Sequence, residues 1–159
     1  MTTEGGAPPY ISPDRRWRLK LGGVRAVDRH MSNVEPLIAA LAEEWPPFGM
    51  TEEPLPSGLA LTVSGELDIA TAPEVRERLG SAVESGVTRI VVDLREVTFM
   101  DSIGLAAIVH ARSRLRAGGR LALVVAPDSY AQLVLEITGM PRALAIFADR
   151  DAAIEHVRG

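Results

Sequence analysis

The sequence predicts an α/β domain in which a small mixed β-sheet of about four or five strands is backed by about four helices. From about Leu59 onward, short β-rich runs alternate with segments of helical spacing. Such alternation implies right-handed crossover connections and a sheet that is largely parallel. Ile90–Val92 and Leu121–Val125 form apolar strand cores, which is typical of strands that are buried on both faces.

Composition excludes several classes of function. The 159 residues are 47% hydrophobic and 4% aromatic, which fits a core of aliphatic side chains. The net charge is −4, and no block of Lys and Arg is interleaved with aromatic residues, so we expect no direct nucleic-acid partner. The absence of cysteine excludes disulfides and thiolate metal sites. No apolar run approaches the roughly 20 residues of a membrane span and no signal-peptide core is present, so we expect a cytoplasmic protein without a membrane partner.

Residues 1–56 differ from the rest of the chain. Glycine and proline breakers and a small basic cluster predict a largely flexible N-terminal extension. Within it, residues 34–45 have helical composition with apolar residues on one side, and Pro46-Pro47 would end that helix. A weaker β pattern lies near residues 49–53, and residues 54–58 are expected to be a linker. The domain is therefore predicted to cover residues 57–159.

The other elements follow from periodicity and capping signals. Leu59–Val63 is β-rich and alternating, and it predicts a strand that runs into Gly65–Asp68. Thr71–Glu74 matches a capping box with proline in the first turn, which predicts a helix to about Glu84. The C-terminal part predicts a helix that begins at Pro127-Asp128 and ends with Gly139 as its C-cap, a short strand over 143–148, and a last helix capped by Asp149 or Asp151.

The centre of the sequence is a strand, a brief connection over residues 95–100, and a helix that would end at Gly118-Gly119. Asp101 or Ser102 is the predicted N-cap, so a serine hydroxyl lies at the positive end of a helix. Helix N-termini favour anions, and a phosphoryl group on Ser102 would add about −1.5 to −2 charges beside Asp101. The alternative is that Ser102 is an ordinary cap.

No catalytic function is predicted. Ser102 lacks the glycine two residues earlier that a nucleophile elbow has. His110 lies about 12 Å further along the predicted helix, which is too far to activate the serine. Asp68 and Asp101 alone are weak support for a magnesium site. We therefore expect no cofactor and no bound metal.

Three segments occur in an order that closely resembles the STAS domain of bacterial anti-sigma factor antagonists: Gly65–Glu74, then Val91–Leu94 joined to Val97–Leu105, then Leu133–Gly139. The resemblance covers roughly residues 57–157 and implies the STAS fold. In that family, the serine that matches Ser102 is phosphorylated by a cognate anti-sigma factor that is also a serine kinase. The unphosphorylated antagonist binds this anti-sigma factor and thereby releases a sigma factor, and a phosphatase resets the system.

The resemblance also implies a partner-binding surface that contains or adjoins Asp68, Asp101, Ser102, Ile103 and Gly104. Many members carry a second serine where this sequence has Ile103. This departure leaves Ser102 as the one candidate serine of the motif and adds an apolar side chain to the expected interface. The alternative function is a STAS subunit of a larger assembly, such as a lipid-transport ATPase complex or a stress-signalling scaffold, without a phosphorylation switch.

Overall fold

The computed structural model describes residues 46–159, which form a five-stranded sheet, four α-helices and one short 3₁₀ turn. The helix predicted over residues 34–45 lies outside the described residues. The elements, in chain order, are β1 (Gly49–Leu55), β2 (Gly58–Leu67), α1 (Ala72–Glu84), β3 (Arg89–Met100), α2 (Ser102–Arg114), β4 (Arg120–Val124), α3 (Tyr130–Ile137), the 3₁₀ turn Met140–Arg142, β5 (Ala145–Phe147) and α4 (Arg150–Arg158).

The sheet is mixed, as the sequence predicts. Its strand order is β1-β2-β3-β4-β5, with β1 antiparallel to β2 and the other three pairs parallel. Helices α1, α2 and α3 bury their apolar residues in one core, together with the alternate residues Leu61 and Val92 of the sheet. Helix α4 packs on the opposite face through Ala153 and Val157. The sheet is therefore covered on both sides, which explains the apolar strand cores.

Strand β3 contains a buried carboxylate. Asp93 of β3 is only 2% exposed, and its carboxylate accepts hydrogen bonds from the backbone N–H and the guanidinium of Arg95, the shortest at 2.7 Å. Burial alone would raise the pKa of Asp93, but the hydrogen bonds from Arg95 and the charges of Arg95 and Arg150 outweigh burial and hold this pKa below its usual range. The ion pair allows a carboxylate to be buried among the apolar residues Ile90–Val92 and Leu94 of β3.

Strand β3 is longer than the sequence predicts. Residues 95–100, expected to be a connection, continue the strand because the second half of β2 remains paired with them as far as Leu67 and Met100. Pairing with β4 stops at Asp93, so the end of β3 projects beyond β4. Helix α3 packs against this part, where the rings of Phe99 and Tyr130 stack with their centroids 5.3 Å apart.

The prediction of a linker over residues 54–58 is wrong. These residues form the turn of a β1–β2 hairpin, in which Leu55 pairs with Gly58. Residues 49–55, on the N-terminal side of the predicted boundary, therefore form an edge strand of the sheet, and the weak β pattern near 49–53 is confirmed. Ion pairs hold this edge to both helical layers, from Arg78 of α1 to Glu52 and from Arg150 of α4 to Glu53.

Two helices differ from their predicted limits. Helix α2 ends at Arg114 rather than at Gly118-Gly119, because Leu115 has extended backbone and the chain returns to the sheet at β4. Helix α3 begins at Tyr130 with Ser129 as its N-cap, not at Pro127-Asp128. Asp128 has a φ of 58°, in the left-handed region, and so it cannot be part of the helix. The N-cap of α4 is Asp149, one of the two predicted candidates.

Candidate functional site

The candidate site begins where β2 and β3 end side by side. Leu67 pairs with Met100 at the ends of these parallel strands, and the Asp101 N–H donates to the Leu67 carbonyl oxygen at 3.2 Å. Each strand is followed directly by an aspartate, Asp68 or Asp101. Because neighbouring strands lie about 4.8 Å apart, the two aspartates open two adjacent turns at one edge of the sheet. Residues 68–71 and 101–104 are called the two aspartate turns below.

The second aspartate turn begins α2. Asp101 Oδ1 accepts hydrogen bonds from the backbone N–H groups of Ile103 at 2.9 Å and Gly104 at 2.8 Å. Asp101, rather than Ser102, is thus the N-cap, and its negative charge lies at the positive end of the helix. Ser102 is the first residue of α2 and is exposed. No hydrogen bond to its hydroxyl is found among residues 46–159.

Gly104 lets α2 approach the end of β2 closely. A Cβ at this position would overlap the Leu67 carbonyl oxygen and lie 2.7 Å from Leu67 Cγ. Gly104 has ordinary helical backbone, so glycine is required here because there is no room for a side chain against Leu67, and not because of an unusual backbone conformation. Its role at the site is therefore to seat the first turn of α2 on β2.

The first aspartate turn has the same hydrogen-bond pattern as the second. Asp68 Oδ1 accepts from the N–H groups of Ala70 at 2.9 Å and Thr71 at 3.1 Å. The Thr71 hydroxyl accepts from the Asp68 N–H at 2.9 Å and donates to the Glu66 carbonyl at 2.7 Å. The predicted capping box is wrong, since Thr71 makes no side-chain cap hydrogen bond to α1. Its hydroxyl is used to close the preceding turn instead.

All five residues predicted for the site lie at this edge, but their side chains differ in exposure. Asp68 is 7% exposed and Gly104 is buried, so neither offers a side chain to an approaching protein. Asp101 is half-buried, whereas Ser102 is exposed and Ile103 is 44% exposed. The structure therefore separates two residues that shape the edge from residues that face solvent.

Sequence reasoning missed Ile69. It follows Asp68 as Ser102 follows Asp101, and its side chain is 66% exposed. In both turns the aspartate binds the N–H groups two and three residues later, which leaves the intervening residue outside the hydrogen-bonded turn. The repeated pattern of strand, aspartate and helix start was the available signal, because it places Ile69 and Ser102 at equivalent positions.

Each of the two turns at this edge contains a negatively charged side chain. No Lys or Arg occurs in residues 46–75 or 96–111, the segments that include both aspartate turns. Both site aspartates already bind backbone N–H groups, and among residues 46–159 no group of three metal-binding side chains could hold a metal ion. None of the described helices is long and apolar enough to cross a bilayer.

Comparison with known proteins agrees with this architecture. The STAS domain family model matches residues 51–153. RsfB, an anti-sigma-F factor antagonist of Mycobacterium tuberculosis, is 28% identical over 99 residues, which are 62% of this chain and 80% of RsfB. The anti-sigma-B factor antagonist of Staphylococcus aureus is 33% identical over 78 residues, which are 49% of this chain and 72% of that protein.

Solved structures show the same fold. The antagonist SpoIIAA in its unphosphorylated form is 24% identical with a TM-score of 0.60, over 70% of this chain and 97% of SpoIIAA. The phosphorylated form of Bacillus SpoIIAA is 25% identical with a TM-score of 0.54, over 70% of this chain and 99% of that one. The chain therefore belongs to the STAS domain family, among the anti-sigma factor antagonists.

Proposed function

We propose that this protein is a phosphorylation-controlled antagonist that, with Ser102 unmodified, binds a cognate anti-sigma factor and thereby releases a sigma factor for transcription. The anti-sigma factor is also the serine kinase that modifies Ser102, and a phosphatase restores the binding form. One observation carries the proposal: Ser102 is exposed at the start of α2, while Asp101 supplies the cap. Phosphorylation would therefore break no hydrogen bond of the helix N-terminus.

The two aspartate turns contain no cation that could offset the charge of a phosphoryl group on Ser102. This group would add about −1.5 to −2 charges. The N–H groups of Ile103 and Gly104 already bind Asp101, and the segments of both aspartate turns contain no Lys or Arg. Like-charge repulsion and loss of hydration would therefore oppose docking. The protein acts as a binding module rather than an enzyme, in the cytoplasm where sigma factors work.

The other site residues have different roles in this proposal. Ile103 and the exposed part of Asp101 contact the partner beside Ser102. Asp68 and Gly104 are positioning residues, since they are buried and hold the two aspartate turns in register. The Staphylococcus aureus relative, named an antagonist of anti-sigma-B factor, supports an anti-sigma factor as the class of partner.

Mass spectrometry of the protein isolated from its own cells tests the modification. One phosphoryl group should map to Ser102 and be absent from Ser102→Ala. Proteins that copurify with Ser102→Ala should include an anti-sigma factor with serine-kinase activity, which can then be purified. The proposal would be contradicted if Ser102 carries no phosphoryl group and no such partner copurifies.

Titration of that purified anti-sigma factor tests the switch. Ser102→Ala should bind as the unmodified chain does, whereas Ser102→Asp should bind about 100-fold more weakly because a charge is forced into the interface. Ser113→Asp is the matched control, since Ser113 is exposed near the other end of α2. Equal binding by Ser102→Ala and Ser102→Asp would overturn the proposal.

A further inference from the structure

Five large apolar side chains are exposed among the described residues, and two of them belong to the aspartate turns. Ile69 is 66% exposed and Ile103 is 44% exposed; the other three are Val109, Leu133 and Ile137. Single exposed apolar residues are common, but apolar residues grouped at one place mark an interaction surface. Ile69 and Ile103, called the isoleucine pair below, come from adjacent turns that also present Ser102.

The isoleucine pair is held by ordered backbone. Asp68, itself 7% exposed, binds the N–H groups of both Ala70 and Thr71, so the segment that carries Ile69 is closed by hydrogen bonds. Asp101 binds the N–H of Ile103 itself. Rigid presentation lowers the entropy lost when such side chains are covered by a partner. The two exposed isoleucines are thus placed as contact residues.

We propose that the isoleucine pair occupies an apolar recess of the anti-sigma factor and that this contact is what makes phosphorylation of Ser102 incompatible with docking. This inference rests on the function proposed above. Because Ser102 directly precedes Ile103 in the second aspartate turn, a partner that covers both isoleucines also removes water from Ser102. A neutral hydroxyl tolerates this environment with one hydrogen bond, whereas a phosphate dianion must keep its water or be paired with cations.

The charges near Ser102 favour loss of hydration, rather than charge repulsion alone, as the reason why phosphorylation prevents docking. The segments that include the aspartate turns carry acidic residues but no Lys or Arg, so the two turns themselves offer no cation to neutralise a buried phosphate. A highly basic partner surface would instead bind the phosphorylated form more tightly. The partner surface over Ser102 is therefore not highly basic, and the exposed isoleucine pair favours an apolar surface there.

A double-mutant cycle tests the inference in the full chain. Ile69→Ser, Ile103→Ser and the double variant are made with Ser102 and with Ser102→Asp, and each is titrated with the purified anti-sigma factor kinase. With Ser102 present, each isoleucine substitution should weaken binding about tenfold or more, as expected for the loss of a buried isoleucine. In the double variant, the 100-fold penalty of Ser102→Asp should shrink to about tenfold or less, because the interface is no longer dry.

Ile137→Ser is the matched control, because Ile137 is 75% exposed but lies on α3. It should leave affinity within about twofold. The conservative variants Ile69→Leu and Ile103→Val should retain affinity, which separates loss of an apolar contact from loss of folding.

The outcomes distinguish the two proposals. If Ser102→Asp does not weaken binding by the unsubstituted chain, the proposed function fails first. If Ser102→Asp weakens binding but the isoleucine substitutions do not, or if its penalty is unchanged in the double variant, the role of the isoleucine pair is overturned while the phosphorylation switch stands.

Discussion

The two ends of the strands, which form the carboxyl edge and the amino edge of the sheet, use charged side chains in opposite ways. At the carboxyl edge of β2 and β3, Asp68 and Asp101 bind backbone N–H groups next to them and leave neighbouring residues exposed. At the amino edge, Arg89 and Arg120, the first residues of β3 and β4, donate to carbonyl oxygens of Val157 and His156, at the end of α4.

The difference follows from the partners available at each edge. A carboxylate placed after a strand finds free N–H groups in the turn that starts the next helix, so it closes a local turn. A guanidinium at a strand start instead reaches the free carbonyls of a distant helix C-terminus, so it joins elements far apart in sequence. The amino edge is therefore built to hold the fold together, and the carboxyl edge to present residues.

The largest expected effect comes from filling the space at Gly104. Gly104→Ala should lower the free energy of unfolding by about 2 to 3 kcal/mol, because the added Cβ overlaps the end of β2. Urea unfolding measures the effect. The matched control is Gly80→Ala in α1, where the nearest atom to a Cβ is Arg114 Nη1 at 3.6 Å, and this change should be neutral or stabilise by up to about 1 kcal/mol. Equal effects would show that α2 does not need this close approach.

A smaller effect should separate the two aspartate turns. Asp68→Ala should cost about 2 kcal/mol, because the buried carboxylate accepts hydrogen bonds from the N–H groups of Ala70 and Thr71 and from the Thr71 hydroxyl. Asp101→Ala should cost about 1 kcal/mol, since it removes a half-exposed helix cap. Amide hydrogen exchange should accelerate at Ala70 in the first variant only. Asp151→Ala, at an exposed position in the first turn of α4, should change stability by less than about 0.5 kcal/mol. An equal loss of stability in all three variants would show that the two aspartate turns do not differ in their contribution to the fold.

The smallest effect is expected at the amino edge. Arg89→Met and Arg120→Met should each cost about 0.5 kcal/mol, because each removes a solvent-accessible hydrogen bond to the C-terminus of α4. Neither should change affinity for the anti-sigma factor, since both lie at the opposite edge from Ser102. Arg112→Met, at an exposed position of α2, controls for loss of a charge. Weaker binding by either edge variant would contradict the separation of roles.

Much of the fold could be predicted because its signals are local. Helix α4, the parallel core strands and a helix start at Asp101-Ser102 all follow from spacing and residue type within a few positions, although the sequence left two candidates for each of the two caps, Asp149 or Asp151 and Asp101 or Ser102. Ile69 also had a local signal, but it becomes informative only when the two turns are seen to lie side by side.

The errors fall where a hydrogen bond from outside the predicted element decides the structure. Residues 95–100 look like a connection, yet β2 holds them as strand. Thr71 matches a capping box, yet the turn from Glu66 to Asp68 uses its hydroxyl. In both cases a non-local or loop hydrogen bond replaced the one that the short-range pattern predicted.

The sequence by itself determined the α/β class, the order of the central elements, the family resemblance and Ser102 as the candidate acceptor, because these depend on periodicity and on a contiguous motif. Only the tertiary structure decided that Leu67 lies opposite Met100, that Gly104 must lack a side chain, and that Ile69 joins Ile103 at the same edge. Strand register controls all three, because it brings together residues more than 30 positions apart that no short-range pattern can align.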